Sequence, residues 1–253
     1  MMDRVFQMEF KRGFYSAGFY AGVILMAAAG LIGAGDVMGY LAEVEYIEGE
    51  LRFSNAVFQA MCSEPFTFML PIACTLAMSA SYMEDLQSGM LRYIVLRTSK
   101  KKYRRSKVLN CALSGIMTAA AAVLILLVVF FVKYPLNGAE MEQLRTLGML
   151  YHLYFWERVV IVCLNGAFYA VLGGLAASFA DSRYLAYAAP FIFYYVISTL
   201  LDAYLEKFWL LNPRELLMAR FMPQTEVLFV LAGLNMIVLA GYSRIIERRW
   251  GYE

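Results

Sequence analysis

The side chains of this chain that could perform covalent chemistry are few and stand apart. His152 is the only histidine, and Glu157, the acid nearest to it in sequence, lies in the same segment with no evident partner. Acid–base and nucleophilic catalysis both require such groups within hydrogen-bond reach of one another. The four cysteines, Cys62, Cys74, Cys111 and Cys163, form no C-x-x-C pair and offer no ligand set at zinc spacing, so they read as small apolar packing residues. No G-x-x-x-x-G-K-[ST] phosphate loop occurs, and Gly30, Gly33, Gly35 and Gly39 miss the dinucleotide fingerprint. The chain is therefore expected to hold no catalytic, metal or cofactor site and not to hydrolyse ATP itself.

Charge is concentrated in one place instead. Between Met83 and Lys107 stand eight Lys or Arg against two acids, Glu84 and Asp85. A basic cluster of this kind beside a membrane attracts anionic lipid at about 1 kcal/mol per residue, and it can equally meet a cytoplasmic partner.

The elements that position this cluster are six uncharged apolar runs at 13–35, 65–83, 108–132, 159–180, 184–201 and 227–243. They hold 124 of 253 residues in a chain that is 61% hydrophobic, whereas a soluble domain of this size needs polar faces on most of its helices. About 20 helical residues cross a hydrocarbon core, and continuous apolar runs exclude the alternating pattern of a barrel. The spacing predicts an all-α polytopic membrane protein with six transmembrane helices in a single transmembrane domain over 1–253. The first run reads as an uncleaved span, being too long for an ordinary signal peptide.

With the N-terminus inside, the inner segments carry 15 Lys or Arg and the outer ones 7. The positive-inside rule then puts both termini in the cytoplasm, and Trp156, Trp209 and Trp250 near span ends fit an interfacial belt. Ahead of the first run, Met2, Val5, Phe6, Phe10 and Phe14 recur at helical spacing and predict a short helix in the inner interface, although Glu9 falls toward its apolar face. Tyr82, Met83, Leu86, Met90, Tyr93, Ile94 and Leu96 keep largely helical spacing beyond the second run. That run is thus expected to extend as a cytoplasmic stalk, bent at Gly89 and turning near 97–102.

No run contains Asp, Glu, Lys, Arg or His, which disfavours ion-coupled transport by this chain alone. Asn110, Ser114, Thr118, Asn165, Ser178, Ser198, Thr199 and Asn235 read as interhelical hydrogen-bonding residues, while Gly18 with Gly22 and Ala170 with Gly174 read as close-packing pairs.

The stretch between the second and third runs resembles the type-2 permeases of ATP-binding-cassette (ABC) transporters. Many of these carry an acidic residue, then S-G, then L-x-x-R, a Ser followed by a basic residue, and Y-x-x-x-K. The matching positions are Asp85, Ser88, Gly89, Arg97, Ser99, Lys100, Tyr103 and Lys107. Thr98 stands where the family often has Pro, and Lys100 to Lys102 make an unusually basic tip. The layout of interfacial helix, six spans and inner termini is similar over the whole length.

The resemblance implies a cytoplasmic coupling hairpin over 82–107 that docks on a separate ABC ATPase subunit, with Glu84, Asp85, Arg97, Lys100, Lys101, Arg104 and Arg105 setting docking specificity. It also implies ATP and Mg bound by that partner, a second permease copy or paralogue completing a dimer, and export across the plasma membrane of a bacterium. Membrane lipid is the other expected partner, and no nucleic acid is expected. The inner turn Asp181, Ser182, Arg183 offers a possible second contact.

On the outer side, 13 acids face 7 bases, a surface able to attract cations. Asn212, Pro213, Arg214 and Glu215 predict a capped short helix there, and Trp209 and Phe221 would lay it on the outer interface. Two alternatives stand beside the permease expectation: an intramembrane protease or lipid-modifying enzyme, and a membrane protein whose basic hairpin binds only anionic lipid.

Overall fold

In a computed structural model, residues 4–43, 52–134, 138–204, 206–219 and 223–249 are described, the side chains of 36–43, 52, 138–152, 206 and 209 excepted. Every regular element among them is helical. In chain order these are α1 (Arg4–Phe14), α2 (Ala17–Glu43), α3 (Arg52–Cys62), α4 (Glu64–Ala73), α5 (Ser81–Gln87), α6 (Met90–Arg97), α7 (Lys100–Lys133) and α8 (Gly138–Ala180). Then follow α9 (Leu185–Tyr204), a 3₁₀ helix (Glu206–Leu211), α10 (Pro213–Met218) and α11 (Gln224–Arg249).

Among the described residues, five helical stretches are long and apolar enough to cross a membrane: Ala17–Gly35 in α2, α7, Leu153–Ala180 in α8, α9 and α11. Each covers one of the expected spans. The second expected span, 65–83, does not form one helix. α4 ends at Ala73, residues 74–80 run as successive turns, and α5 begins at Ser81.

The cause is local. Pro71, inside α4, has no N–H to donate to the preceding turn. Beyond it the backbone tightens to i→i+3 bonds, with the N–H of Thr75 donating to the Ile72 carbonyl and that of Leu76 to Ala73. The Ser79 hydroxyl, within these turns, donates to the Ala170 carbonyl of α8 at 2.8 Å.

This irregular segment lies against α2 through the G-x-x-x-G pair. A β-carbon at Gly18 would sit 2.0 Å from the Leu76 carbonyl oxygen, and one at Gly22 would sit 2.4 Å from that of Ala73. Only glycine admits a backbone so close. α7 and α8 meet in the same way, since a β-carbon on Gly115 would lie 2.2 Å from the Gly166 carbonyl oxygen.

α8 is the spine of the bundle, packing on α4, α5, α7, α9, α10 and α11. The largest apolar core gathers Met26, Phe66, Leu126, Phe130 and Tyr169. A second core, with Tyr82, Tyr103, Tyr242 and Ile246, lies beneath the hairpin.

The polar residues of the spans divide by reach. Asn165 donates to the Leu216 carbonyl, Asn235 to Leu164 and Asn110 to Phe6, at 3.3, 3.1 and 3.3 Å. Ser114, Thr118, Ser178 and Ser198 instead donate to carbonyls of their own helices. The carbonyl a turn earlier lies within reach of these short side chains and satisfies them.

Candidate functional site

The hairpin is built from α5, α6 and the start of α7. Gly89 takes φ 71°, the left-handed region that L side chains rarely adopt, and so ends the α5 direction and starts α6. The expected bend is a complete break, and the turn at the tip is shorter than expected, occupying only Thr98 and Ser99. Ser99 is extended and caps α7, its hydroxyl accepting from the Lys102 N–H at 3.3 Å.

α6 buries only Leu91. Tyr93 is 73% and Leu96 84% exposed, alongside exposed Met90, Arg92, Arg97 and Lys100. The tip thus presents aromatic and aliphatic side chains among cations.

At the base the chemistry is opposite, with charges withdrawn from solvent. Lys107, fully buried on α7, lies with Nζ 2.7 Å from Glu9 Oε2 on α1 and 2.6 Å from Asp85 Oδ2 on α5. The Tyr103 hydroxyl donates to the same Asp85 oxygen at 2.7 Å. Arg12 completes the cluster, its Nη1 on Asp85 Oδ1 and its Nη2 2.9 Å from Glu84 Oε2. Three segments distant in sequence are therefore locked together by ionic contacts.

Burial by itself pushes the Asp85 carboxyl up, and Lys107 foremost, followed by Arg12 and Tyr103, overcomes it, leaving the carboxyl below its ordinary value. Lys107 and Arg12 balance Glu9 and Asp85, while the third acid, Glu84, stays partly in solvent at the edge; such pairing is the condition under which buried ions are tolerated.

The inner face of α1 is Val5, Glu9 and Gly13. Phe6 and Phe10 flank it half-buried, and Phe14 is exposed. Glu9 sits among apolar positions because its partner is Lys107.

Two further pairs close the same end of the bundle: Arg104 with Glu247, and Arg249 with Asp181. Asp181 makes its turn at φ 56°, and Arg183 lies over the Tyr184 ring at 5.6 Å. Between α1 and the start of α7 a cavity of about 600 Å³ is lined by Phe6, Ser99, Lys101, Lys102, Arg105 and Leu109.

Of the residues singled out by motif, the structure brings Asp85, Tyr103 and Lys107 into one buried cluster with Glu84 at its edge. Ser88 and Gly89 form the first turn, Ser99 the cap, and Arg97 and Lys100 the exposed tip. Glu9 and Arg12 were missed as cluster members; the signal for Glu9 was a charge on the wrong face of an amphipathic helix.

At the far end of the bundle Asn212 caps α10 as expected, accepting from the Arg214 N–H at 3.0 Å, and its amide donates to Asp202 at 2.6 Å. Arg214 pairs with Glu64. Trp156 is exposed, whereas Met2, Phe221, Trp250 and the side chains of Trp209 and His152 lie outside the described residues. Comparison with known proteins finds no family model and no curated protein that matches the chain.

Proposed function

We propose that this chain is the membrane-spanning permease subunit of an ATP-driven ABC exporter, coupled to a separate ATPase subunit through the 82–107 hairpin. The observation that carries the proposal is the contrast within that hairpin. Its base is fixed to α1 by the buried Glu9–Lys107–Asp85–Arg12 cluster, while its tip exposes Tyr93, Leu96, Arg97 and Lys100.

A rigid element ending in an exposed apolar and cationic surface suits docking into a groove, and displacement of the tip would be transmitted to α7 and the 64–87 segment as tilt. Asp85, Tyr103 and Lys107, being buried, serve such coupling by holding the hairpin's shape rather than by touching the partner. On this reading two copies, or a copy and a paralogue, form the translocation path, and ATP and Mg reside on the partner.

The test is co-purification. Charge reversal at Arg97 and Lys100 is expected to remove the ATPase subunit and, in reconstituted membranes, substrate-stimulated ATP hydrolysis. Unchanged co-purification rejects coupling through the hairpin.

The cavity lined by Phe6, Lys101, Lys102 and Arg105 favours a second reading, contact with anionic lipid where the start of α7 faces α1. Lys101→Glu with Arg105→Glu then weakens binding to vesicles rich in anionic lipid while leaving ATPase capture intact.

A further inference from the structure

Among the described residues two cations are fully buried, and one of them, Lys107, is matched by carboxylates. Lys107 meets two carboxylates, but Arg158 on α8, also 0% exposed, meets none among the described residues. Its Nη2 lies 3.0 Å from Cys62 Sγ at the end of α3, and its guanidinium sits 5.6 Å over the Phe58 ring. Nε and Nη1 have no hydrogen-bond partner among the described residues. Glu64, the acid closest to Cys62 in sequence, is engaged by Arg214, and Tyr154 is the other titratable neighbour of Arg158, stacked on Phe58.

A guanidinium cannot shed its proton at physiological pH, so burial favours an anion beside it. Among the described residues, the group at hydrogen-bond distance from Arg158 able to become one is the Cys62 thiol, and adjacent cationic side chains are what turn cysteines into thiolates. Cys62 is itself partly exposed, unlike Cys74 and Cys111.

We infer that Cys62 is a thiolate held by Arg158, and that the pair forms a reactive site for small soft electrophiles at the end of the bundle away from the hairpin. The thiolate sulfur attacks the electrophilic carbon, the S–C bond forms as the leaving group departs with its electron pair, and no proton moves. Capture removes the counter-charge of Arg158, so modification is coupled to the stability of the α3–α8 contact.

The experiment follows alkylation of Cys62 by iodoacetamide in the full chain, in detergent, from pH 5 to 10, with peptide mass spectrometry reporting each cysteine. The wild-type rate is expected to be on its plateau by pH 7. Arg158→Gln should move the midpoint up to the ordinary thiol value of about 8.5 and slow the reaction at pH 7 by about fivefold or more. Arg158→Lys, keeping a cation, should retain the low midpoint.

The melting temperature should fall on alkylation of the wild type. A wild-type midpoint near 8.5 overturns the inference even if Arg158→Gln fails to fold, as does a profile unchanged by Arg158→Gln. So does a melting temperature indifferent to alkylation.

Discussion

Lys107 sets the energetics of the hairpin base. Replacing it with Met leaves Glu9 and Asp85 buried without their shared cation, a change expected to cost about 3–5 kcal/mol, read as a fall in melting temperature in detergent. Adding Glu9→Gln and Asp85→Asn to Lys107→Met should recover most of that loss, because the penalty comes from stranded charges rather than from a missing attraction. A second expectation concerns acid. The Asp85 carboxyl is held below its ordinary value, so the stability it contributes is fully present above the unfolded value of about 3.9 and is lost as pH falls through the lower folded one. Melting curves from pH 7 to 3 should steepen their decline below about pH 4 in the wild type and flatten there in Asp85→Asn. Little of this cluster was legible in the sequence. Asp85, Tyr103 and Lys107 were singled out through a motif, but which acid Lys107 would meet on α1 depends on a contact 98 positions away, and only the misplaced Glu9 hinted at it.

Among the elements, α2 and the 64–87 segment are the most tightly matched. Gly18→Val would drive a side chain into the Leu76 carbonyl and is expected to destabilise by about 1–3 kcal/mol. Gly233→Ala, with nothing near its β-carbon, should be neutral or stabilising by up to about 1 kcal/mol; thermal unfolding of the two variants side by side checks the contrast. The G-x-x-x-G spacing in α2 was visible as a close-packing face, because it depends only on local periodicity. Its partner was not. An apolar run is counted by length, and length does not register that Pro71 removes a donor or that Ser79 finds its acceptor on α8. α6 was hidden for a similar reason: helical spacing continues through Gly89, and only the backbone shows the left-handed residue that separates two helices.

Across the whole molecule, the placement of five apolar helices follows from composition, which is why the sequence located them well. Ionic contacts collect at one end, where α1, α5 and the start of α7 meet and where Arg104 and Arg249 reach Glu247 and Asp181. The other end carries Arg214 with Glu64 and the Cys62–Arg158 contact. Tyr93→Glu with Leu96→Glu tests the exposed tip at this scale: on the permease reading it abolishes ATPase capture while leaving the melting temperature of the purified chain unchanged, since neither side chain is buried.

The turns at 74–80 also bear on how the chain is made. A bilayer offers no water to backbone groups that have left the helical pattern, so such a segment is stable there only when protein covers it. Its cover comes from α2, synthesised before it, and from α8, whose Ala170 carbonyl receives Ser79. The 74–80 turns therefore reach their covered position only after the stretch around Ala170 has been made, nearly a hundred residues later.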